Sequence, residues 1–140
     1  MKATLLLTGC LAAFACLTPT AKADDKVDFE KQIYPIFKAK CLKCHSKEHE
    51  DNGKIKKPKG GLVLNTAEGI KKGGKEDKDK CLVAGKPDDS TIYKVTLLPS
   101  SDDKAMPPDG KGDPLTDAEK TLLKNWIAQG ADFGAWTESK

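Results

Sequence analysis

The five residues Cys41-Leu42-Lys43-Cys44-His45 constrain this chain more than any other feature. Two thiols and an imidazole fall within a few residues, so the fold must present three metal- or carbon-seeking groups on one small surface. The two-residue gap lets both sulfurs reach neighbouring vinyl groups on one side of a porphyrin. There each thiol adds across a vinyl double bond and forms a thioether. His45, the next residue, can then offer a ring nitrogen to the iron. C-x-x-C-H is the attachment signature of c-type haem. At this chain's own frequencies of Cys and His, accidental matches are expected only roughly 0.002 times. The motif therefore predicts one haem c, held by Cys41 and Cys44, with His45 as an axial ligand.

Three other chemistries use the same residues. Cys41, Cys44, His45 and His49 could form a zinc site, but the two pairs are contiguous, without the roughly 12–15 residues that fold one pair back onto the other. A thioredoxin-like dithiol asks for a βαβ context, which the sequence lacks. A plain Cys41–Cys44 disulfide would leave a thin core unexplained, since only 6% of the residues are aromatic.

The distal ligand follows by elimination. Beyond Met1, Met106 is the chain's only methionine, and it sits in Ala105-Met106-Pro107-Pro108. Pro107 biases Met106 toward an extended backbone and stiffens the loop, which suits a thioether that must stay in place through redox cycling. The rival readings are a methionine filling a core gap and ligation by His49. Only four residues beyond His45, His49 would emerge on the same side of the ring.

The start of the chain reads as an export signal. Lys2 precedes the mostly apolar stretch Ala3–Leu17, and Ala21-Lys22-Ala23 places small residues at both cleavage-specificity positions. A cut after Ala23 is expected, with a mature domain over 24–140 and its core over about 27–133. The apolar stretch is shorter than the roughly 20 residues that span a bilayer. The alternatives are a retained anchor on the periplasmic side and lipidation at Cys10. Cleavage would take Lys2 and Lys22 from the 24 basic residues, leaving 22 against 21 acidic ones. That balance gives no reason to expect nucleic acid as a partner. Every basic residue is lysine, so bidentate recognition of carboxylate or phosphate is absent while point charges are plentiful. Cys10 and Cys16 would leave with the signal, and Cys81 is left without an evident partner. It reads as a buried or half-buried thiol, or else as half of an intermolecular disulfide.

Along the mature chain the pattern is helical. Phe29, Ile33, Ile36 and Phe37 mark one face of a helix over about 27–39, which Pro35 should kink or divide. Residues 46–59 read as a solvated loop. Asn65 is the expected cap of a short helix ending near Lys72 and Gly73-Gly74. Residues 71–80 read as a second charged loop. A third helix is expected from Pro87-Asp88-Asp89 through Val95, and the prolines and glycines of 99–115 require a loop. Thr116-Asp117-Ala118-Glu119 is a capping box before the stripe Leu122, Leu123, Trp126 and Ile127, with Gly130 as the stop. Trp126 reads as helix-packing core in preference to a haem-pocket wall. No alternating strand pattern is evident.

With its helix before the Cys41–His45 motif, its loop at Met106-Pro107-Pro108 and its capped C-terminal helix, the chain resembles the class I cytochromes c. More narrowly it is similar to the planctomycete-type cytochrome c domain. That likeness lies in Gly60-Gly61-Leu62-Val63-Leu64-Asn65, in Leu82-Val83-Ala84-Gly85-Lys86-Pro87-Asp88-Asp89-Ser90, and in Trp126-Ile127-Ala128-Gln129-Gly130-Ala131. The resemblance implies a mainly α fold of short helices packed around one covalent haem, with the N- and C-terminal helices crossing beside it. It also implies axial roles for His45 and Met106. With both axial positions filled, the expected role is outer-sphere electron transfer between redox proteins outside the cytoplasm, by a monomer that is not an enzyme. The alternatives are a dedicated haem subunit of a larger oxidoreductase, and a haem sensor or peroxidase with a labile sixth ligand. Lys43 and the lysines of the 54–59 loop are expected to steer an acidic partner.

Overall fold

The computed structural model describes residues 26–138. The expected export signal, its cut after Ala23, and Cys10 lie outside the described residues. The Asp28 carboxylate accepts from the Lys31 N–H at 3.0 Å and opens the first helical segment. Phe29–Ile33 winds as a π-helix and Tyr34–Lys40 follows as α1. Pro35 explains the change of pitch. It has no N–H to give one turn back, and the preceding Tyr34 N–H reaches five residues back to the Phe29 carbonyl. The division expected at Pro35 is present.

Residues 46–59 differ from the expected loop. They contain an antiparallel hairpin, β1 His49–Asp51 and β2 Lys54–Lys56, with His49 opposite Lys56. Asn52 and Gly53 make the turn with φ of 51° and 73°, the left-handed pair that a two-residue hairpin requires. Apolar–polar alternation is missing because every residue of both strands is exposed. Asn-Gly was the legible signal.

A second correction concerns α2, Ala67–Lys72. Its cap is Thr66, whose hydroxyl accepts from the Gly69 N–H at 2.9 Å. Asn65 instead accepts from the Lys47 N–H at 2.9 Å, tying the hairpin base to this segment. The expected third helix is also shorter. Pro87–Asp89 forms a 3-10 turn, Ser90 is extended, and α3 covers only Thr91–Lys94. Buried Ser90 breaks the run, because its hydroxyl accepts from the Val83 N–H at 2.9 Å and lies 2.9 Å from the Lys86 carbonyl.

Residues 99–115 form a loop, as expected, in which the Met106 N–H donates to the Val95 carbonyl at 3.0 Å. α4, Asp117–Ala128, carries both bonds of the capping box: Glu119 N–H to the Thr116 hydroxyl, and Thr116 N–H to the Glu119 carboxylate. Leu123, Trp126 and Ile127 are its buried face.

The few aromatic residues are concentrated, which is how a thin supply makes a core. Phe29 has its ring 4.6–6.4 Å from those of Tyr34, Phe37, Trp126, Phe133 and Trp136. Trp126 donates its indole N–H to the Asp132 carbonyl at 2.8 Å, so its polar end is satisfied. It belongs to this cluster, as expected. The N-terminal helical segment thus packs on α4 through Phe29 and Trp126, and the Val27 N–H donates to Gln129 at 2.8 Å.

Two substitutions test this architecture. Phe29→Ala removes the hub ring and should lower stability by about 3–5 kcal/mol. Thr116→Ala removes the cap of α4 and should cost about 1 kcal/mol. Urea unfolding of the two proteins reads both, and similar losses would contradict the central place given to Phe29.

Candidate functional site

The Cys41–His45 motif continues α1 as one further turn. The Cys41 N–H still donates to the Phe37 carbonyl at 2.8 Å, and the His45 N–H to the Cys41 carbonyl at 3.0 Å. This holds the two cysteines and the histidine on one compact turn. The next segment is stitched to it: the Lys59 N–H donates to the Cys44 carbonyl at 2.9 Å, and the Leu64 N–H to the His45 carbonyl at 2.7 Å. The hairpin is thereby pinched off as an excursion between residues that are neighbours in space.

Cys41, Cys44, His45 and Met106 all line one cavity of about 280 Å³. Phe37 of α1 and Leu123 of α4 close it toward the core, Leu62 and Leu64 form the wall after the hairpin, and Ile92, Val95 and Thr96 face it from α3 and beyond. The 99–115 loop adds Pro107 and Pro108 beside Met106, a residue that is 37% exposed. The lining is dominated by apolar side chains around three thiols, one imidazole and one thioether. That donor set suits a flat apolar macrocycle with a metal at its centre.

The His45 ring supplies the sharpest sign of a ligand. Its Nδ1 is buried and has no hydrogen-bond partner. A buried polar nitrogen left unpaired costs on the order of 1–3 kcal/mol unless something else binds it. Burial holds the imidazole below the ordinary histidine range, with the backbone of Leu62 and Lys59 offsetting part of that shift. Neutral imidazole is the form that can donate a lone pair to a metal. Burial likewise pushes the Cys41 thiol up to about 12, helped by Cys44 and Glu119. All three described cysteines are free.

His49 stands elsewhere. It lies exposed on β1, with its Nδ1 2.9 Å from the Lys47 carbonyl, and it does not line the cavity. Among the described residues no group of three or more His, Cys, Asp and Glu could hold a metal ion, so the four-ligand zinc arrangement does not form. Cys81 is 1% exposed and lines the cavity as a free thiol, the ordinary reading of that residue. Sequence reasoning missed Thr91, Thr96, Leu115 and Lys111, which also face the cavity. Thr96, Leu115 and Lys111 come from irregular segments where periodicity is silent, and Thr91 opens the short α3. Phe37 was placed on a helix face, and only its position one turn before Cys41 hinted at this wall.

Among the described residues no helix is long and apolar enough to cross a membrane. The profile of one family, described as planctomycete cytochrome C, matches residues 41–110, half of the chain, and the chain belongs to that family. The match begins at Cys41 and includes Met106. Comparison with curated proteins and with solved structures gave no match. A covalently bound haem c and electron carriage come with the family, on a helix-rich domain of short helices.

Cys81 offers a titration test. Its thiol is raised from 9.0 to about 11, chiefly by burial, with Asp77 adding to the shift. Below 9.0 both folded and unfolded states keep the proton, so the residue has no pH effect. Between 9.0 and about 11 the unfolded chain ionises while the folded one resists, so stability falls as pH rises. Wild type should therefore lose stability relative to Cys81→Ala across that window. Parallel pH curves for the two proteins would contradict the burial of this thiol.

Proposed function

We propose that this chain is a single-haem c-type cytochrome that carries electrons between redox proteins outside the cytoplasm. The observation carrying this reading is the meeting of Cys41, Cys44, His45 with its unpartnered Nδ1, and Met106 on one apolar cavity. Haem, when bound, supplies a one-electron couple at its iron. Cys41 and Cys44 would hold it through two thioethers. His45 and Met106 would take the two axial positions and leave no coordination site for a substrate. Phe37, Leu64, Ile92 and Leu123 would keep water from the bound group, and the Met106 thioether, a soft donor, would favour the ferrous state. An exported protein reaches the compartment in which such attachment is made, in keeping with the signal read over residues 1–23.

Two results test the ligand set. Protein made with cytochrome c maturation machinery should hold haem through acid-acetone extraction and, when oxidised, show the weak far-red band of a sulfur–iron bond. Met106→Ala should remove that band and leave the haem attached. Persistence of the band would mean that another sulfur is the ligand. Reduced wild type should resist carbon monoxide, and avid binding would favour a sensor or peroxidase with a labile sixth position.

A further inference from the structure

Three asparagines occur in this sequence, Asn52, Asn65 and Asn125, and the fold treats them differently. Asn65 is tied down: its side-chain oxygen accepts from the Lys47 N–H at 2.9 Å, and buried Thr66 follows it. Asn125 lies within α4, where its carbonyl accepts from the Gln129 N–H at 2.9 Å and buried Trp126 follows. Asn52 has neither restraint. It is exposed at the tip of the hairpin, and its side-chain nitrogen donates to the equally exposed Asp51 carboxylate beside it, at 2.9 Å.

The next residue matters as much. Gly53 has no side chain to shield its backbone nitrogen, and a Cβ placed there would meet nothing within 4 Å. Among the described residues the Gly53 N–H donates to no backbone carbonyl. That nitrogen is therefore exposed, unshielded and unengaged, and it stands the right number of bonds from the Asn52 side-chain carbonyl carbon to close a five-membered ring.

We propose that Asn52-Gly53 is a site of spontaneous modification, at which Asn52 loses ammonia and becomes isoaspartate or aspartate. The Gly53 nitrogen attacks the Asn52 side-chain carbonyl carbon. The bond from that carbon to the amide nitrogen breaks, and ammonia leaves with the proton from Gly53. One water then opens the cyclic imide, giving isoaspartate when the main-chain carbonyl is attacked and aspartate when the side-chain carbonyl is. The net exchange is ammonia for water, with no change of oxidation state.

Ring closure fixes rotation about the Asn52 Cα–C bond, so the left-handed turn must open first. The hairpin permits this. Its two three-residue strands are wholly exposed, and an isolated pair of strands is marginal in water. The bond from the Lys59 N–H to the Cys44 carbonyl fastens its base, so the tip can open while the cavity stays formed. Isoaspartate lengthens the main chain by one methylene and adds a carboxylate beside Asp51. A two-residue turn has no slack for the extra atom, so the pairing of His49 with Lys56 loosens.

The test uses haem-loaded protein held in mildly alkaline buffer, sampled over time, digested with trypsin and read by mass spectrometry. Peptide 48–54 should gain about 1 Da as the amide becomes an acid, with fragment ions that tell isoaspartate from aspartate. Asn52 should react about 100-fold faster than Asn125, whose helix must unfold first. Thr116→Ala separates local from global opening. It should leave the Asn52 rate within about 2-fold, whereas a reaction that waits on unfolding would speed up about 5-fold. The aged protein should keep its acid-acetone-resistant haem and its spectrum. An Asn52 as durable as Asn125 would overturn the proposal. So would the 5-fold acceleration, which would make the modification a product of unfolding, and so would a change of the haem spectrum in step with the mass gain.

Discussion

Two backbone hydrogen bonds set the geometry of the whole site. The Cys44 and His45 carbonyls accept from Lys59 and Leu64 at 2.9 and 2.7 Å, and they fasten the cysteine–histidine turn to the segment that walls the cavity. Without them the hairpin between would separate these two pieces, and neither the buried imidazole nor the apolar wall would be defined. Peptide groups that would otherwise be buried without partners are satisfied by holding the site together.

The domain divides its apolar side chains between two tasks. On one side Phe29 gathers five other rings into a core that joins the N-terminal helical segment to α4 and to Phe133 and Trp136 beyond it. On the other, Leu62, Leu64, Ile92 and Val95 line the cavity, Leu64 and Ile92 as part of the same buried core. Phe37 belongs to both, with its ring 6.0 Å from that of Phe29 and a place in the cavity lining. Buried apolar side chains that leave such a space lose packing contacts unless a ligand fills it. The modest aromatic content of the chain is consistent with a fold completed by a cofactor.

Much of this was legible in the sequence, and the gaps have physical causes. The capping box at Thr116 and the apolar stripe of α4 are local signals and appeared as read. The cap of α2 was misassigned because Asn65 and Thr66 are both competent, and the choice was made by Lys47, whose N–H recruits Asn65 from 18 positions away. The third helix was drawn too long because the Ser90 hydroxyl binds the Val83–Lys86 turn, a tertiary preference that helix propensity does not contain. Strand periodicity failed at the hairpin because neither face is buried, whereas its Asn52-Gly53 turn was written plainly. Of the site, the donor residues were readable from motif and elimination. The walls were not, since they come from segments scattered between Phe37 and Leu123.

The hairpin has a consequence of its own. Lys59 and Cys44 meet at its base, and every residue of its strands faces water. An excursion that leaves and returns at nearly one point transmits little to the body from which it springs. It is the natural place to splice in an epitope, a fluorophore-accepting tag or a surface-immobilisation peptide. The same independence leaves room for sequence drift between β1 and β2, while the stitched residues on either side stay bound by their neighbours.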